Sequence, residues 1–216
     1  MSLSETGKTG VWIDFENMRI AWDDILKTER TKYRHFFELL EKVIFDKLEI
    51  STIKIFFSEI DLFQITEMIF DEKDPIWKRY RISTPYQNIN DTLELKYVEG
   101  KIKRPSKRLE FIQCWMKGKI DHGTLKSTLD TWLVTDIIST LYEQKEMKNF
   151  IVVSGDADYA PALRHLMAKG KKVIVVFDEN STSEHLKKDV QDRLSDDSSY
   201  RFVGLREWIR SRKIRS

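Results

Sequence analysis

Residues 150–163 read FIVVSGDADYAPAL, and this stretch decides the fold. Its first four residues are apolar without alternation and three are β-branched, which predicts a strand buried on both faces. Ser154-Gly155-Asp156-Ala157-Asp158 then breaks the run with turn-forming residues. Pro161 suits the first turn of a helix, because its fixed φ is already helical and its missing N–H would go unused there. Gly170 ends that helix, and VIVVF at 173–177 predicts a second buried strand. Two continuous apolar strands joined by a helix predict a parallel βαβ unit, with helices covering both faces of the sheet.

The rest of the chain extends the pattern. VWIDF at 11–15 predicts a buried strand that delivers Asp14 at its carboxyl end, and TIKIFF at 52–57 a second one. Helical spacing runs over 34–49, and over 62–80 until Asp74-Pro75 interrupts it. LELKYV at 93–98 alternates and predicts a strand. KIKRPSKR at 101–108 is a basic turn, and LEFIQCWM at 109–116 pairs back, so that about 99–123 forms a basic hairpin insertion. Residues 127–143 form a helix with Ser127 or Thr128 as cap. A short helix over 183–194 and a strand at 200–203 complete the order. The fold class is therefore α/β: a mostly parallel central sheet with helices on both faces. One domain covers 11–204, between a flexible 1–10 and a solvated basic tail at 205–216 that includes Arg206.

Composition narrows the function classes. A chain of 216 residues fits one large α/β domain. The single cysteine, Cys114, excludes an intramolecular disulfide framework and a Cys-rich zinc site, and suits a reducing, cytoplasmic setting. Net charge is only +2, so affinity for a polyanion must come from a local patch. The first ten residues lack an apolar signal core, and no apolar run is long enough to span a membrane. TGKTG at 6–10 lacks the first glycine and the preceding strand of a phosphate loop. The four histidines, at 35, 122, 165 and 185, have no zinc-protease spacing.

Sites in such sheets lie at the carboxyl ends of strands. Asp14 and the pair Asp156 and Asp158 follow two predicted strands, and Asp130 sits in the first turn of the 127–143 helix. Taken singly, each has a plain alternative as a turn former, a cap or a helix-dipole partner. Together they place several carboxylates at one edge, where mutual repulsion favours a bound cation. All-oxygen ligands suit Mg²⁺ or Mn²⁺. Asp136, six positions after Asp130, lies well round the same helix and need not share the site.

VWIDFEN (11–17), LDTWLVTD (129–136), FIVVSGDADYAPAL (150–163) and GKKVIVV (170–176), in this order, resemble the NYN domain, a LabA-containing branch of the PIN-like nucleases. The resemblance covers residues 11–178. It implies a PIN-like sheet and a metal-dependent (endo)ribonuclease whose products carry 5′-phosphate and 3′-hydroxyl ends. By position, Asp14, Asp130, Asp156 and Asp158 match the family's acidic residues, and Asn17 its asparagine. Asp136 matches a second helical aspartate and stays open as a further metal ligand. Tyr159 replaces the usual phenylalanine, which reads as conservative.

RNA, single-stranded or structured, is the implied partner, and a homodimer stays open. Lys101, Lys103, Arg104, Lys107, Arg108, Lys117 and Lys119 could neutralise its phosphates, with Tyr97, Phe111 and Trp115 stacking on bases. A solvated loop with its aromatics in the core is the other reading of the same residues. The rival to an enzyme is a catalytically inactive RNA-binding or protein-interaction module on this fold. An intact carboxylate set argues against it, because binding alone gives no reason to keep the repulsion.

Overall fold

The computed structural model describes residues 7–29, 37, 41, 48–71, 75–99, 105–117, 126–180, 182–188 and 200–206. In chain order the elements are β1 (Lys8–Asp14), α1 (Phe15–Glu29), β2 (Glu49–Ser58), α2 (Leu62–Phe70), β3 (Arg81–Ser83), α3 (Gln87–Glu99) and β4 (Arg108–Cys114). Then come β5 (Met116–Lys117), β6 (Lys126–Ser127), α4 (Leu129–Glu143), β7 (Met147–Val153), α5 (Ala160–Ala168), β8 (Lys172–Phe177) and β9 (Tyr200–Gly204). Seven strands form one sheet in the order β3-β4-β2-β1-β7-β8-β9. Every neighbouring pair in it is parallel.

Alternation along the strands divides the core into two layers. Val11 and Ile13 of β1 join Phe15, Trp22 and Ile25 of α1 on one face, with Ile65 of α2 and Leu93 of α3. Trp12 faces the other way, with Leu133 and Ile137 of α4 and Leu163 and Leu166 of α5. Helices therefore cover both faces, as the apolar strands require. From β1 the order runs outward through β2 in one direction and from β7 through β8 in the other. The carboxyl ends of β1 and β7 thus flank the point where the order reverses, where open α/β sheets form their crevice.

Several sequence expectations change. LELKYV at 93–98 lies in α3, not in a strand. Ile89, Leu93 and Tyr97 recur every fourth residue and are buried, whereas Leu95, which with Leu93 and Tyr97 suggests alternation, is exposed. β4 consequently does not pair back on a neighbouring hairpin arm. It enters the central sheet between β2 and β3, parallel to both, after the crossover helix α3. Tyr97 and Phe111 are core residues, so neither can stack on a base. The edge strand β3, three residues long, is too short to be legible in the sequence. The chain is already in β1 at Lys8, within the segment expected to be flexible.

Arg206 is not a solvated tail residue. It is 4% exposed, and its guanidinium donates to both carboxylate oxygens of Asp178 and to Asp24, tying the end of β9 to β8 and α1. Residues 207–216, almost all of the expected 34–49 helix, and the end of the 183–194 helix lie outside the described residues. Cys114 is buried, and burial pushes its thiol up to about 12, which leaves it inert. Among the described residues no helix is long and apolar enough to cross a membrane.

Candidate functional site

Asp14 ends β1, and the register of β1 against β7 (Ile13 opposite Val153) brings Ser154 beside it. The Ser154 hydroxyl donates to Asp14 Oδ2 at 3.0 Å and accepts from the Asp156 N–H at 3.2 Å. Asp156 then caps the short turn Ala157–Tyr159, its Oδ1 accepting from the Asp158 N–H at 2.9 Å. From the α1 side, the Asn17 N–H donates to Asp14 Oδ1 at 2.9 Å, while its side-chain Oδ1 accepts from the Gly155 N–H at 2.8 Å. The SGDAD loop is thus held on both sides by groups that the sheet register places. The Asx turn, common in aspartate-rich loops, is here the device that orients the two carboxylates.

The first turn of α4 brings Asp130 to the same place. One carboxylate oxygen each from Asp130, Asp156 and Asp158 lies within 4.8 Å of the others. They face a cleft of about 510 Å³, also lined by Asp14, Glu16, Asn17, Ser127 and Thr131, and by no lysine or arginine among the described residues. Carboxylates this close repel by roughly 1–3 kcal/mol per pair under solvent screening. The donor set is all oxygen, without His or Cys, so what fits is a hard divalent cation.

Asp14 also lines the cleft but sits behind this triple, 3% exposed. Burial raises its pKa to about 7, against the opposing pull of the Asn17 N–H, Tyr159 and Ser154. The Tyr159 hydroxyl lies 3.0 Å from Asp14 Oδ2 and 2.7 Å from Asp130 Oδ1. A phenol has one proton to give. When Asp14 is protonated, it can donate to the phenol oxygen while Tyr159 donates to Asp130. Burial and the two aspartates push the Tyr159 pKa far up, so the phenol remains neutral. Replacement of phenylalanine by Tyr159 is therefore not conservative here: the hydroxyl joins two acidic groups.

Asp14, Asn17, Asp130, Asp156 and Asp158 all meet at this cleft. Asp136 does not line it. Its carboxylate receives Lys54 Nζ at 2.7 and 2.9 Å and the Trp12 indole N–H at 2.7 Å, on the face under α4. Of the expected basic residues, Lys107 and Arg108 stand at the amino end of β4, the opposite edge of the sheet from the cleft. Lys117 lies on the ribbon β5/β6, whose Ser127 lines the cleft. Lys101, Lys103, Arg104 and Lys119 fall outside the described residues.

Glu16 escapes the sequence reading. It lines the cleft, and burial, followed by the nearby Asp61 charge, raises its pKa. Its only sequence signal is its place in DFEN, two residues after Asp14.

Gly155 is needed for close approach. A Cβ there would lie 3.0 Å from Thr182 Oγ1, 3.2 Å from Thr182 Cα and 3.5 Å from Asn17 Oδ1. Gly155→Ala should destabilise the protein by about 1–3 kcal/mol, because a backbone atom must give way. Urea unfolding checks this, and an unchanged midpoint would show that the 182–183 turn yields freely.

No curated protein sequence matches the chain. Among solved structures, a protein of unknown function from Vibrio parahaemolyticus RIMD 2210633 is similar, with 15% identity, a TM-score of 0.49, and coverage of 95% of this chain and 96% of that one. The family profile of the NYN domain matches residues 8–197, a span that runs from the first strand past the SGDAD loop. On that match, over a seven-stranded parallel sheet with its acidic cluster at the switch point, the chain belongs to the NYN domain family, part of the PIN-like nuclease superfamily.

Proposed function

We propose that this protein is a divalent-metal-dependent ribonuclease that hydrolyses RNA phosphodiester bonds in the acidic cleft, with Mg²⁺ or Mn²⁺ as the ion. The observation that carries this reading is the convergence of Asp130, Asp156 and Asp158 at the sheet's switch point, with no basic side chain among the described residues that line the cleft. A binding-only module for a polyanion would be expected to present the reverse charge. A divalent ion held there supplies charge neutralisation at a phosphoryl oxygen and lowers the pKa of an attacking water.

The chain's own residues do the positioning. Asp130, Asp156 and Asp158 offer the ligand oxygens. Tyr159 fixes the Asp130 carboxylate by donating to Oδ1. Asn17 fixes Gly155, and with it the loop that carries Asp156 and Asp158. Asp14, buried behind the triple, accepts from the Ser154 hydroxyl and the Asn17 N–H and lies 3.0 Å from the Tyr159 hydroxyl. Ser127, whose Oγ accepts from the Leu129 N–H at 3.1 Å, and Thr131 complete the cleft wall.

Purified protein incubated with mixed cellular RNA should cut it in Mg²⁺ or Mn²⁺ and leave it whole in EDTA, with 5′-phosphates at the new ends. Undiminished cutting in EDTA would overturn the reading. So would intact RNA in both metals together with base-dependent binding, which favours the inactive RNA-binding module.

A further inference from the structure

The SGDAD loop hangs from two supports, and both grip the backbone of Gly155. Its N–H donates to Asn17 Oδ1 of α1 at 2.8 Å. Its carbonyl accepts from the Ser183 N–H at 3.1 Å, in the turn that follows β8. Thr182 packs against the same glycine and donates its hydroxyl to the Asp178 carbonyl at 2.6 Å. Asp156 and Asp158 come just after Gly155. The spacing between α1 and the β8 turn therefore bears on where their carboxylates stand.

One side chain joins those two supports at a distance from the loop. The buried Arg206 guanidinium donates through Nε to Asp178 Oδ1 at 2.5 Å and through Nη2 to Asp178 Oδ2 at 3.1 Å. The same Nη2 reaches Asp24 of α1. Asn17 and Asp24 stand about 700° apart along α1, so they share one face two turns from each other. The contacts close a ring. It runs from Gly155 to Asn17, along α1 to Asp24, across Arg206 to Asp178, and through Thr182 and Ser183 back to Gly155. β9 does not need this bridge to stay on the sheet, because Tyr200–Gly204 already pairs with β8 along its length. Nor does Asp178 need Asp24, because one guanidinium fork satisfies both of its oxygens. What the Arg206–Asp24 bond adds is the tie to α1.

We propose that Arg206 is a positioning residue for the acidic cluster: by holding α1 and the β8 turn at a fixed separation through Asp24 and Asp178, it keeps Gly155, and so Asp156 and Asp158, in place for a divalent ion. Arg206 acts only through the loop and lines no part of the cleft. For the ion, this rests on the metal reading above, whereas the brace itself belongs to the metal-free fold. Arginine suits the task because its planar fork is always charged and bonds two carboxylates at once, which a lysine ammonium does less well. Groups that orient metal ligands change metal affinity by about 10- to 100-fold when they are lost. Arg206 stands further back than such groups, so the low end of that range is expected.

The test is backbone amide exchange in a chelating buffer, followed by Mn²⁺ affinity from the electron paramagnetic resonance of the free ion. Asp24→Ala cuts the exposed limb of the bridge and leaves Asp178 paired with Arg206, so the variant should fold. Its Gly155 and Ser183 amides should exchange roughly 5- to 10-fold faster, the scale of one net hydrogen bond, with Ile151 and Val175 of the central strands unchanged. Its Mn²⁺ affinity should fall about tenfold. Arg206→Lys keeps the charge without the fork and should do the same. Asp24→Asn keeps an acceptor and should retain most of the affinity. Thr182→Val cuts the ring on its other side. The Asp24→Ala/Thr182→Val double variant should therefore lose little more than either single variant. Ile82→Val, in β3 at the far edge of the sheet, should lower the Tm and leave both readouts at wild-type values.

Wild-type exchange rates at Gly155 and Ser183 in Asp24→Ala would overturn the proposal. So would equal acceleration of all four amides, which marks a general loss of stability. Losses that add in full in the double variant would also overturn it, because they mark two independent contacts rather than a ring. Faster local exchange with undiminished Mn²⁺ affinity would do the same, by showing a brace that holds the loop without serving the site. Absence of Mn²⁺ binding by the wild type would instead remove the metal reading, and the exchange rates would still decide the brace.

Discussion

Asp130→Asn should lower the turnover of RNA cleavage by roughly a thousandfold or more, while changing RNA affinity little. Removing one anionic ligand oxygen weakens charge stabilisation that matters most in the transition state, so kcat should fall and KM should hardly move. Asp156→Asn and Asp158→Asn should behave alike, because all three carboxylates meet within 4.8 Å. Mg²⁺ should raise the wild-type Tm, since it binds the native cluster and not the unfolded chain, and should raise that of each variant much less. The second readout separates loss of the ion from loss of the fold. Asp136→Asn serves as the contrast: its carboxylate is occupied by Lys54 and Trp12, so it should cost stability and leave the Mg²⁺ response intact. Full cleavage by Asp130→Asn, or an unaltered Mg²⁺ shift, would remove the triple from the mechanism.

Asp14→Asn should change the pH dependence of stability more than any other single substitution in the cleft. In metal-free buffer, burial raises the Asp14 pKa from 3.8 to about 7. The folded state therefore holds this proton more tightly than the unfolded chain. The resulting stabilisation is fully present below about pH 4, declines as pH rises, and is lost by about pH 7. The shift corresponds to as much as about 4 kcal/mol. Asparagine cannot ionise, so at about pH 8 the variant should be the more stable protein by a few kcal/mol. Towards pH 4 the difference should vanish or reverse, because the amide replaces a well-bonded neutral acid. Urea titrations of both proteins across this range, in a chelating buffer, give the difference directly. Parallel curves would mean that Asp14 is ionised in the fold at no cost.

The strands that carry these acids are the most legible part of the chain. FIVV and VIVVF read as buried parallel strands because burial on both faces leaves no polar alternation to misread. The carboxyl ends of VWI and FIVV fall where the polar turn residues begin, so the residue order alone puts Asp14, Asp156 and Asp158 at one edge of the sheet. α3 misleads for the converse reason. Leu95 is apolar but exposed, and with Leu93 and Tyr97 it completes a false two-residue period over a helix whose true buried set recurs every fourth residue. A strand at 93–98 in turn makes β4 its hairpin partner, and that error carries Lys107 and Arg108 to the wrong edge of the sheet.

The parallel sheet, the family and the acidic residues at the switch point are all legible in the linear chain. They depend on local apolar runs and on residues that adjoin strand ends, and neither needs a distant contact. The division of labour among those acids arises only on packing. Asp14 and Asp130 are far apart in sequence, yet the Tyr159 hydroxyl joins them. Burial without a bound cation raises the Asp14 pKa to about 7, whereas Asp136, chemically identical, is drawn to Lys54 and Trp12. Desolvation and hydrogen-bond partners set the role of a carboxylate, and both are properties of the packed environment rather than of the residue.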